Sequence, residues 1–335
     1  MDHQHAATAG TTQSTAILGE GYRWTSRDEG CDGSVSNRAN GGDIGRPTSL
    51  SIWSLRSERS EGRGMRCLSC GSVATTERPE RTARGYRRFR CRDCSKQFND
   101  RSAGSLNRTQ YPSDVIALVV LWRLRYKLAL RDLPEMFLIR GMVFSHEAVR
   151  DWETKLTPAL AETLRRRRGE AGRSWYTDET YIKVHGRWRY LYRAIDRSGA
   201  LVDVTFSEHR DMAAAKAFFE SARMVTGITP AQLTTDGHNS YPHAIRMVLG
   251  SAVRHRDSQY LNNRLEQDHR GVKGRYGPMR GFKCPRSADT FCRAYDELRN
   301  FLRCRSRTNQ PVSADHRRFH FLRRTATVLN VLQAA

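Results

Sequence analysis

Three acidic residues stand where a carboxylate could do chemistry. Asp178 lies in the aromatic segment W-Y-T-D-E-T-Y, Asp236 ends the short predicted strand in L-T-T-D-G-H, and Glu266 lies in N-N-R-L-E-Q-D-H. A carboxylate inside a strand is costly unless it is paired or binds a metal. If two strand carboxylates and one helix carboxylate converge, they could hold two divalent ions and support phosphoryl transfer. Spacing alone leaves open that each acid is a turn or solvent-facing residue.

The third acid shares one predicted helix face with three potentially cationic side chains. The spacing i, i+3, i+4 and i+7 is that of Glu266, His269, Arg270 and Lys273. Such a face suits both a metal and a phosphate, although a solvated ion-pair face has the same pattern. Asp268 falls on a different face, and strand alternation directs Glu179 away from Asp178, so we expect neither to be a ligand.

Four cysteines form two close pairs separated by 20 residues, Cys67-Leu-Ser-Cys70 and Cys91-Arg-Asp-Cys94. Two such turns can complete a tetrahedron of thiolates, so the spacing predicts a structural Zn²⁺ site in a small ribbon. Redox chemistry is the alternative, but it needs only one C-x-x-C. We expect the other cysteines to be plain thiols: Cys31, Cys284, Cys292 and Cys304.

Three helical segments follow the cysteines, at Val115–Trp122, near 130–139, and after Ser145, which is a good N-cap residue. A helix, a short turn with glycine and a second helix predict a helix-turn-helix that presents His146 and Arg150 to DNA. An ordinary three-helix bundle is the alternative. The arginine run at 165–168 could be a solvated linker or could follow a phosphate backbone.

From Trp175 the sequence pattern changes to strands. The predicted strands are 175–184, 188–196 and 201–206, followed by a helix at 212–226, a short strand at 232–235 and a later helix near 262. This order predicts an α/β fold with a mixed sheet and weakly favours a ribonuclease-H-like domain.

Two longer segments carry a family resemblance. The segment D-E-T-Y-I-K-V-H-G-R-W-R-Y-L-Y-R-A-I-D (178–196) resembles the first catalytic block of DDE transposases of bacterial and archaeal insertion sequences, in the replicative family commonly numbered six. The segment Y-L-N-N-R-L-E-Q-D-H-R-G-V-K (260–273) is similar to the third block, and R-G-F-K (280–283) to the segment after it. The resemblance runs from about 112 to 305.

The resemblance implies a catalytic triad of Asp178, Asp236 and Glu266, holding two Mg²⁺ (or Mn²⁺) ions. It implies that Lys273, with Arg270 beside it, contacts DNA near the active site. The interval between the second and third acids has 29 intervening residues, which is shorter than the family usually shows. The missing residues fall before the third block, where a shorter loop can accommodate the difference.

The charge of the chain is strongly positive. There are 57 Lys+Arg against 35 Asp+Glu, for a net charge of +22. Arginine usage could reflect codon bias, but bias does not explain the missing acids, so nucleic acid is the expected partner. No apolar run is long enough to span a membrane, and no secretory signal is visible. We therefore expect a cytoplasmic, nucleoid-associated protein.

These observations predict five regions. They are a disordered or spurious extension (1–64), a zinc ribbon (65–104), an all-α helix-turn-helix domain (105–168), a ribonuclease-H-like catalytic domain (170–305) and a C-terminal helical tail (306–335). The first region is rich in Gly, Ser, Thr and Asn.

By resemblance, the chain is expected to bind the terminal inverted repeats of its own element as at least a dimer. It would nick the DNA to expose 3′-OH ends and join them to target DNA, replicatively through a cointegrate. One alternative is a DNA-binding regulator with an inactive nuclease-like domain. Another is a structure-specific nuclease that cuts without end preference and without joining.

Overall fold

The computed structural model describes residues 65–258, 263–304 and 312–335. The predicted extension at 1–64 lies outside this part of the chain. The described residues contain eight strands and eight helices. No helix among them is both long and apolar enough to cross a membrane.

A small antiparallel sheet begins the described chain, in the order β1-β2-β3. Its strands are β1 (Thr75–Arg78), β2 (Arg88–Cys91) and β3 (Gln97–Asn99). The stacked rings of Phe89 and Phe98, 5.5 Å apart, are the main apolar contact across this sheet. So little apolar surface gives the sheet only a small core of its own.

Three helices follow, α1 (Ser113–Arg125), α2 (Asp132–Leu138) and α3 (His146–Arg166). They occur where the sequence predicts them. Pro134 lies in the first turn of α2, where a missing N–H costs no helical hydrogen bond. Ser145 caps α3 by accepting a hydrogen bond from the Ala148 amide at 3.2 Å. The third helix is long, and its buried residues continue to Leu164.

A five-stranded mixed sheet forms the second half, in the order β6-β5-β4-β7-β8. The long strands β4 (Ser174–Val184), β5 (Arg187–Asp196) and β6 (Leu201–Ser207) form an antiparallel meander. The short strands β7 (Gln232–Thr235) and β8 (Arg254–Asp257) run parallel to β4. This topology is ribonuclease-H-like and confirms the predicted fold class.

The strand β8 was not predicted from the sequence. Its residues, R-H-R-D, show no apolar alternation, and all four are exposed or half-buried. It is a strand because its backbone pairs with the buried β7 at the edge of the sheet. Edge strands can be this polar because one of their sides faces solvent.

Helices cover both faces of the large sheet. On one face α4 (Met212–Thr226) and α5 (Ser240–Val248) cover Trp175 and Tyr192. On the other, α7 (Pro285–Leu302) packs with α1 and α3 over Ile182 and Val184. The remaining helices are α6 (Asn263–Tyr276) and α8 (Ala314–Ala334), and α8 packs on α1 and α3. The three-helix region therefore shares one apolar core with the large sheet.

Candidate active site

Two of the three predicted acids meet where β7 ends beside the middle of β4. Asp178 lies on β4 and Asp236 directly follows β7, and the pairing of Tyr176 with Thr234 places the two acids side by side. Their carboxylates form a group with that of Glu179, with all three ligand oxygens within 4.8 Å of one another. We call Asp178, Glu179 and Asp236 the acidic cluster.

Glycine is required directly after Asp236. Gly237 has φ +87°, and a Cβ there would lie 2.3 Å from the Asp257 carboxylate. This tight turn lets the His238 amide donate to Asp236 at 3.1 Å, which fixes that carboxylate. The D-G dipeptide noted in the sequence therefore has a structural reason.

Glu179 is not among the metal ligands predicted from the sequence, because strand alternation directs its side chain to the strand face opposite Asp178. The structure nevertheless brings its carboxylate into the acidic cluster. Its side chain is 1% exposed, and it accepts hydrogen bonds from the Tyr241 hydroxyl and from Arg210 Nε. A strict alternation argument considers only the two strand faces, and not the contacts with other elements that decide where a long side chain ends.

The third predicted acid, Glu266, lies on the neighbouring helix α6 and is exposed. Within the described ranges, its carboxylate is not part of the group that meets within 4.8 Å. One turn later, His269 Nδ1 lies 3.7 Å from Asp178 Oδ2, which brings α6 against β4. The structure thus places Glu266 on the helix beside the acidic cluster but not inside the cluster.

The acidic cluster is electrostatically unfavourable without a cation. Burial, together with the neighbouring carboxylates of Glu179 and Asp236, raises the pKa of Asp178 from 3.8 to about 7. Glu179 is engaged by Arg210 and Tyr241, but the adjacent carboxylates of Asp178 and Asp236 are donors suited to divalent cations, which prefer oxygen ligands. The residues present therefore fit the metal that this arrangement implies.

A buried ion-pair network holds α6 against the sheet. Arg193, which is opposite Asp178 on β5, is fully buried and binds Asp268 of α6 and Asp296 of α7. Arg299 also pairs with Asp268. Burial opposes ionisation of Asp268, but the two guanidinium groups lower its pKa. Asp268 is therefore engaged in this network.

The histidine on the same helix is uncharged. Burial, and after it the charge of Arg193, lowers the pKa of His269 to about 3. Its Nε2 atom is buried and has no hydrogen-bond partner among the described residues. Neutral His269 therefore adds no positive charge beside Asp178.

The basic residues predicted to contact DNA lie at two places. Arg270 and Lys273 are exposed on α6. His146 and Arg150 are half-buried at the start of α3, and both pair with Glu147. Arg270 and Lys273 thus lie on α6, whereas His146 and Arg150 lie on α3, and all four side chains are at least partly exposed to solvent.

The segment after α6 joins the sheet through its backbone. The Phe282 amide donates to the Lys183 carbonyl at 2.9 Å, and the His185 amide donates to the Phe282 carbonyl at 2.7 Å. Gly281 has φ +89°, and a Cβ there would lie 2.8 Å from the Lys183 carbonyl oxygen. This close approach explains the glycine in R-G-F-K.

The four paired cysteines converge as predicted. Their sulfurs all lie within 4.8 Å of one another, with Cys67–Cys94 at 3.5 Å and Cys70–Cys91 at 3.6 Å. A tetrahedral Zn²⁺ with bonds of about 2.3 Å requires sulfurs about 3.8 Å apart. Amide donors from Cys70 and Ser69 lower the pKa of Cys67 to about 6. This cysteine cluster therefore fits zinc.

Comparison with known proteins gives the family. The family model described as a DDE domain matches residues 172–305. The transposase of the insertion sequence-like element IS431mec of Staphylococcus aureus is 37% identical over 170 residues, which are 50% of this chain and 75% of that protein. The transposase of IS257 in transposon Tn4003, also from Staphylococcus aureus, matches to the same extent.

The chain is a DDE transposase of insertion-sequence family six. Its enzymatic class is therefore that of a polynucleotidyl transferase. Solved structures with local similarity include the HTLV-2 integrase catalytic core with magnesium (20% identity, TM-score 0.27, covering 32% of this chain and 70% of that one). A simian T-cell lymphotropic virus intasome is also similar (16% identity, TM-score 0.32, covering 43% and 53%).

Proposed function

We propose that this transposase binds the terminal inverted repeats of its own element, nicks them to expose 3′-OH ends and transfers those ends to target DNA. The observation that carries the proposal is the acidic cluster, which forms where β7 ends beside the middle of β4. The outcome is replicative, through a cointegrate, as the family membership implies.

The chemistry consists of two displacements at phosphorus. A water oxygen attacks the phosphodiester at the element end, the bond from phosphorus to the 3′ oxygen breaks, and a 3′-OH and a 5′-phosphate result. The oxygen of that 3′-OH then attacks a target phosphorus and loses its proton to solvent. The bond from phosphorus to the target 3′ oxygen breaks, and that oxygen takes up a proton from solvent to become a 3′-OH. No covalent bond to the protein forms.

Asp178, Asp236 and Glu266 would hold two Mg²⁺ or Mn²⁺ ions. Bound there, the ions would activate the attacking oxygen and stabilise the leaving oxygen. Asp178 and Asp236 are already adjacent, and α6 carries Glu266 and Lys273 on one face. The face of α6 can therefore supply the third carboxylate and a cation for the nearby DNA backbone.

Two regions preceding the large sheet would recognise the element ends. The cysteine cluster would hold a structural Zn²⁺ within the proposed ribbon (65–104), whose arginines face solvent at Arg84, Arg90 and Arg92. The proposed helix-turn-helix domain (105–168) would present His146 and Arg150 to the major groove.

If the cysteine cluster holds zinc, purified protein should contain one zinc ion per chain. The Cys91→Ser variant should lose the zinc and bind the element ends more weakly. Wild-type protein that lacks zinc and still binds the ends fully would contradict the zinc site.

The remaining organisation belongs to the same proposal. The catalytic domain comprises 170–305, and 306–335 form a helical tail. Two element ends must be held together for joining, so at least a dimer would assemble on DNA. A cytoplasmic, nucleoid-associated location follows from such a partner.

The test is cleavage and strand transfer with duplexes of the inverted repeats that flank the reading frame. Wild-type protein with Mg²⁺ or Mn²⁺ should nick at the repeat end and join it to target DNA. Asp178→Ala, Asp236→Ala and Glu266→Ala should each abolish both steps and still bind the ends. Asp315→Ala, on the exposed start of α8, is the matched control and should remain active.

A regulator with an inactive nuclease-like domain is the second candidate. It is favoured by one observation, the position of Glu266 outside the acidic cluster. Sequence-specific end binding without cutting in either metal would support it. Cutting without end preference and without joining would instead indicate a structure-specific nuclease.

A further inference from the structure

An arginine lies at the open side of the acidic cluster. Arg210 precedes α4, and its side chain is 27% exposed. Its Nε donates to the Glu179 carboxylate. Within 65–258, 263–304 and 312–335, its two terminal nitrogens have only long contacts, Nη2 to Asp236 at 3.5 Å and Nη1 to the Tyr181 hydroxyl at 3.4 Å. The guanidinium is therefore held firmly at one edge and weakly at the other.

The residue that holds Arg210 is itself fixed. Both Glu179 oxygens accept a hydrogen bond, one from Arg210 and one from the fully buried Tyr241. A guanidinium has five N–H donors, and these contacts use three. The two remaining donors are one on Nη2, beside Asp236, and one on Nη1, beside Tyr181.

A phosphate approaching three carboxylates meets repulsion. A guanidinium fork matches the oxygens of a phosphate and binds them with charge-assisted hydrogen bonds. We propose that Arg210 is a catalytic residue that donates to a non-bridging oxygen of the scissile phosphodiester, and that Glu179 is the positioning residue that orients it. This inference rests on the proposed function.

The rival explanation is that Arg210 only neutralises the buried Glu179. The two explanations differ in whether Arg210 binds the charged oxygen of the scissile phosphate. A methylphosphonate replaces one non-bridging oxygen by a methyl group and removes that charge. The affinity of end duplexes with a normal or a methylphosphonate linkage at the cleavage position can be measured without added Mg²⁺ or Mn²⁺, so that no cleavage occurs.

The affinity of each protein for the normal duplex is divided by its affinity for the methylphosphonate duplex. This ratio should be about tenfold larger for wild-type protein than for Arg210→Ala. Arg293→Ala is the matched control, because Arg293 is 33% exposed and has one ion pair, with Asp289. It should behave as wild type. Arg210→Lys should show an intermediate value, and Glu179→Gln, which keeps the shape but not the charge, should lose part of the discrimination.

With Mg²⁺ present, Arg210→Ala should also cut normal ends about 10²–10³-fold more slowly. Equal methylphosphonate penalties in wild type and Arg210→Ala, with both proteins folded by thermal melting, would overturn the inference. Failure of wild-type protein to bind or cut the ends would instead overturn the proposed function. The two failures are therefore distinguishable.

Discussion

At the scale of single residues, the carboxylates of the acidic cluster repel one another, and a bound cation would reduce that repulsion. The Asp178 side chain is only 18% exposed, and its pKa rises from 3.8 to about 7. The folded protein therefore holds this proton to a higher pH than the unfolded chain does. Since the unfolded chain loses the proton first, stability falls as the pH rises from about 4 to about 7.

Asp178→Asn should consequently stabilise the protein in the absence of Mg²⁺ and Mn²⁺. At pH 8 the gain in unfolding free energy should be up to about 4 kcal/mol, and it should shrink towards zero near pH 4. Urea unfolding at several pH values measures it. Asp315→Asn, whose side chain is 91% exposed, should change little. A gain that is independent of pH would contradict this explanation.

At the scale of elements, the position of α6 depends on buried charges. Arg193 Nε donates to Asp296 Oδ2 at 3.0 Å, and the same guanidinium binds Asp268. One side chain thereby joins β5 to both α6 and α7. Breaking such a network by removing one partner is costly, because the remaining charges stay buried without a counterion.

Arg193→Met should lower the unfolding free energy by about 3–5 kcal/mol. Adding Asp268→Asn and Asp296→Asn to the same chain should recover much of the loss, since no buried carboxylate is then left without a counterion and Arg299, which loses Asp268, is 35% exposed to solvent. Arg318→Met, at a side chain 78% exposed, should cost less than about 0.5 kcal/mol. Denaturant unfolding distinguishes these cases, and equal losses in the single and triple variants would refute the network argument.

At the scale of the whole molecule, α3 links the proposed end-binding region to the large sheet. The arginine run at its C-terminal end (165–168) contacts that sheet and α7. Arg165 pairs with Asp203 at 3.6 Å, and Arg168 binds Glu297 at 2.5 Å and the Val202 carbonyl at 2.7 Å. Two of the four arginines are therefore engaged with the sheet and α7, while Arg166 pairs within its own helix.

Replacing Arg165 and Arg168 by Ala should loosen this link. If the proposed function holds, end affinity should change less than about threefold, whereas cleavage should fall by about 10²-fold because the ends are misplaced relative to the acids. The cuts should also spread to neighbouring phosphodiesters, as a sequencing gel would show. Arg166→Ala is the control. Unchanged rate and position in the double variant would contradict the link.

Some features were predictable because short-range geometry decides them. The C-x₂-C spacing places two sulfurs in one turn, and the cysteine cluster follows once the hairpin closes. Alternating residues at 175–206 predicted the three long strands, and the order of elements predicted the ribonuclease-H-like sheet. Parallel pairing of β4 with β7 then brought Asp178, inside β4, beside Asp236, which follows β7.

Other features depend on contacts between distant segments, which no local pattern encodes. Glu179 joins the acids because Arg210 and Tyr241 reach it from separate elements, and β8 exists because β7 offers its edge. The partners of Arg165 and Arg168 are likewise found only when α3 meets the sheet and α7. Residue types and spacing thus determined the family, the fold and the candidate ligands; folding decided which charges neutralise one another, because ion pairs form between surfaces that the chain brings together only in three dimensions.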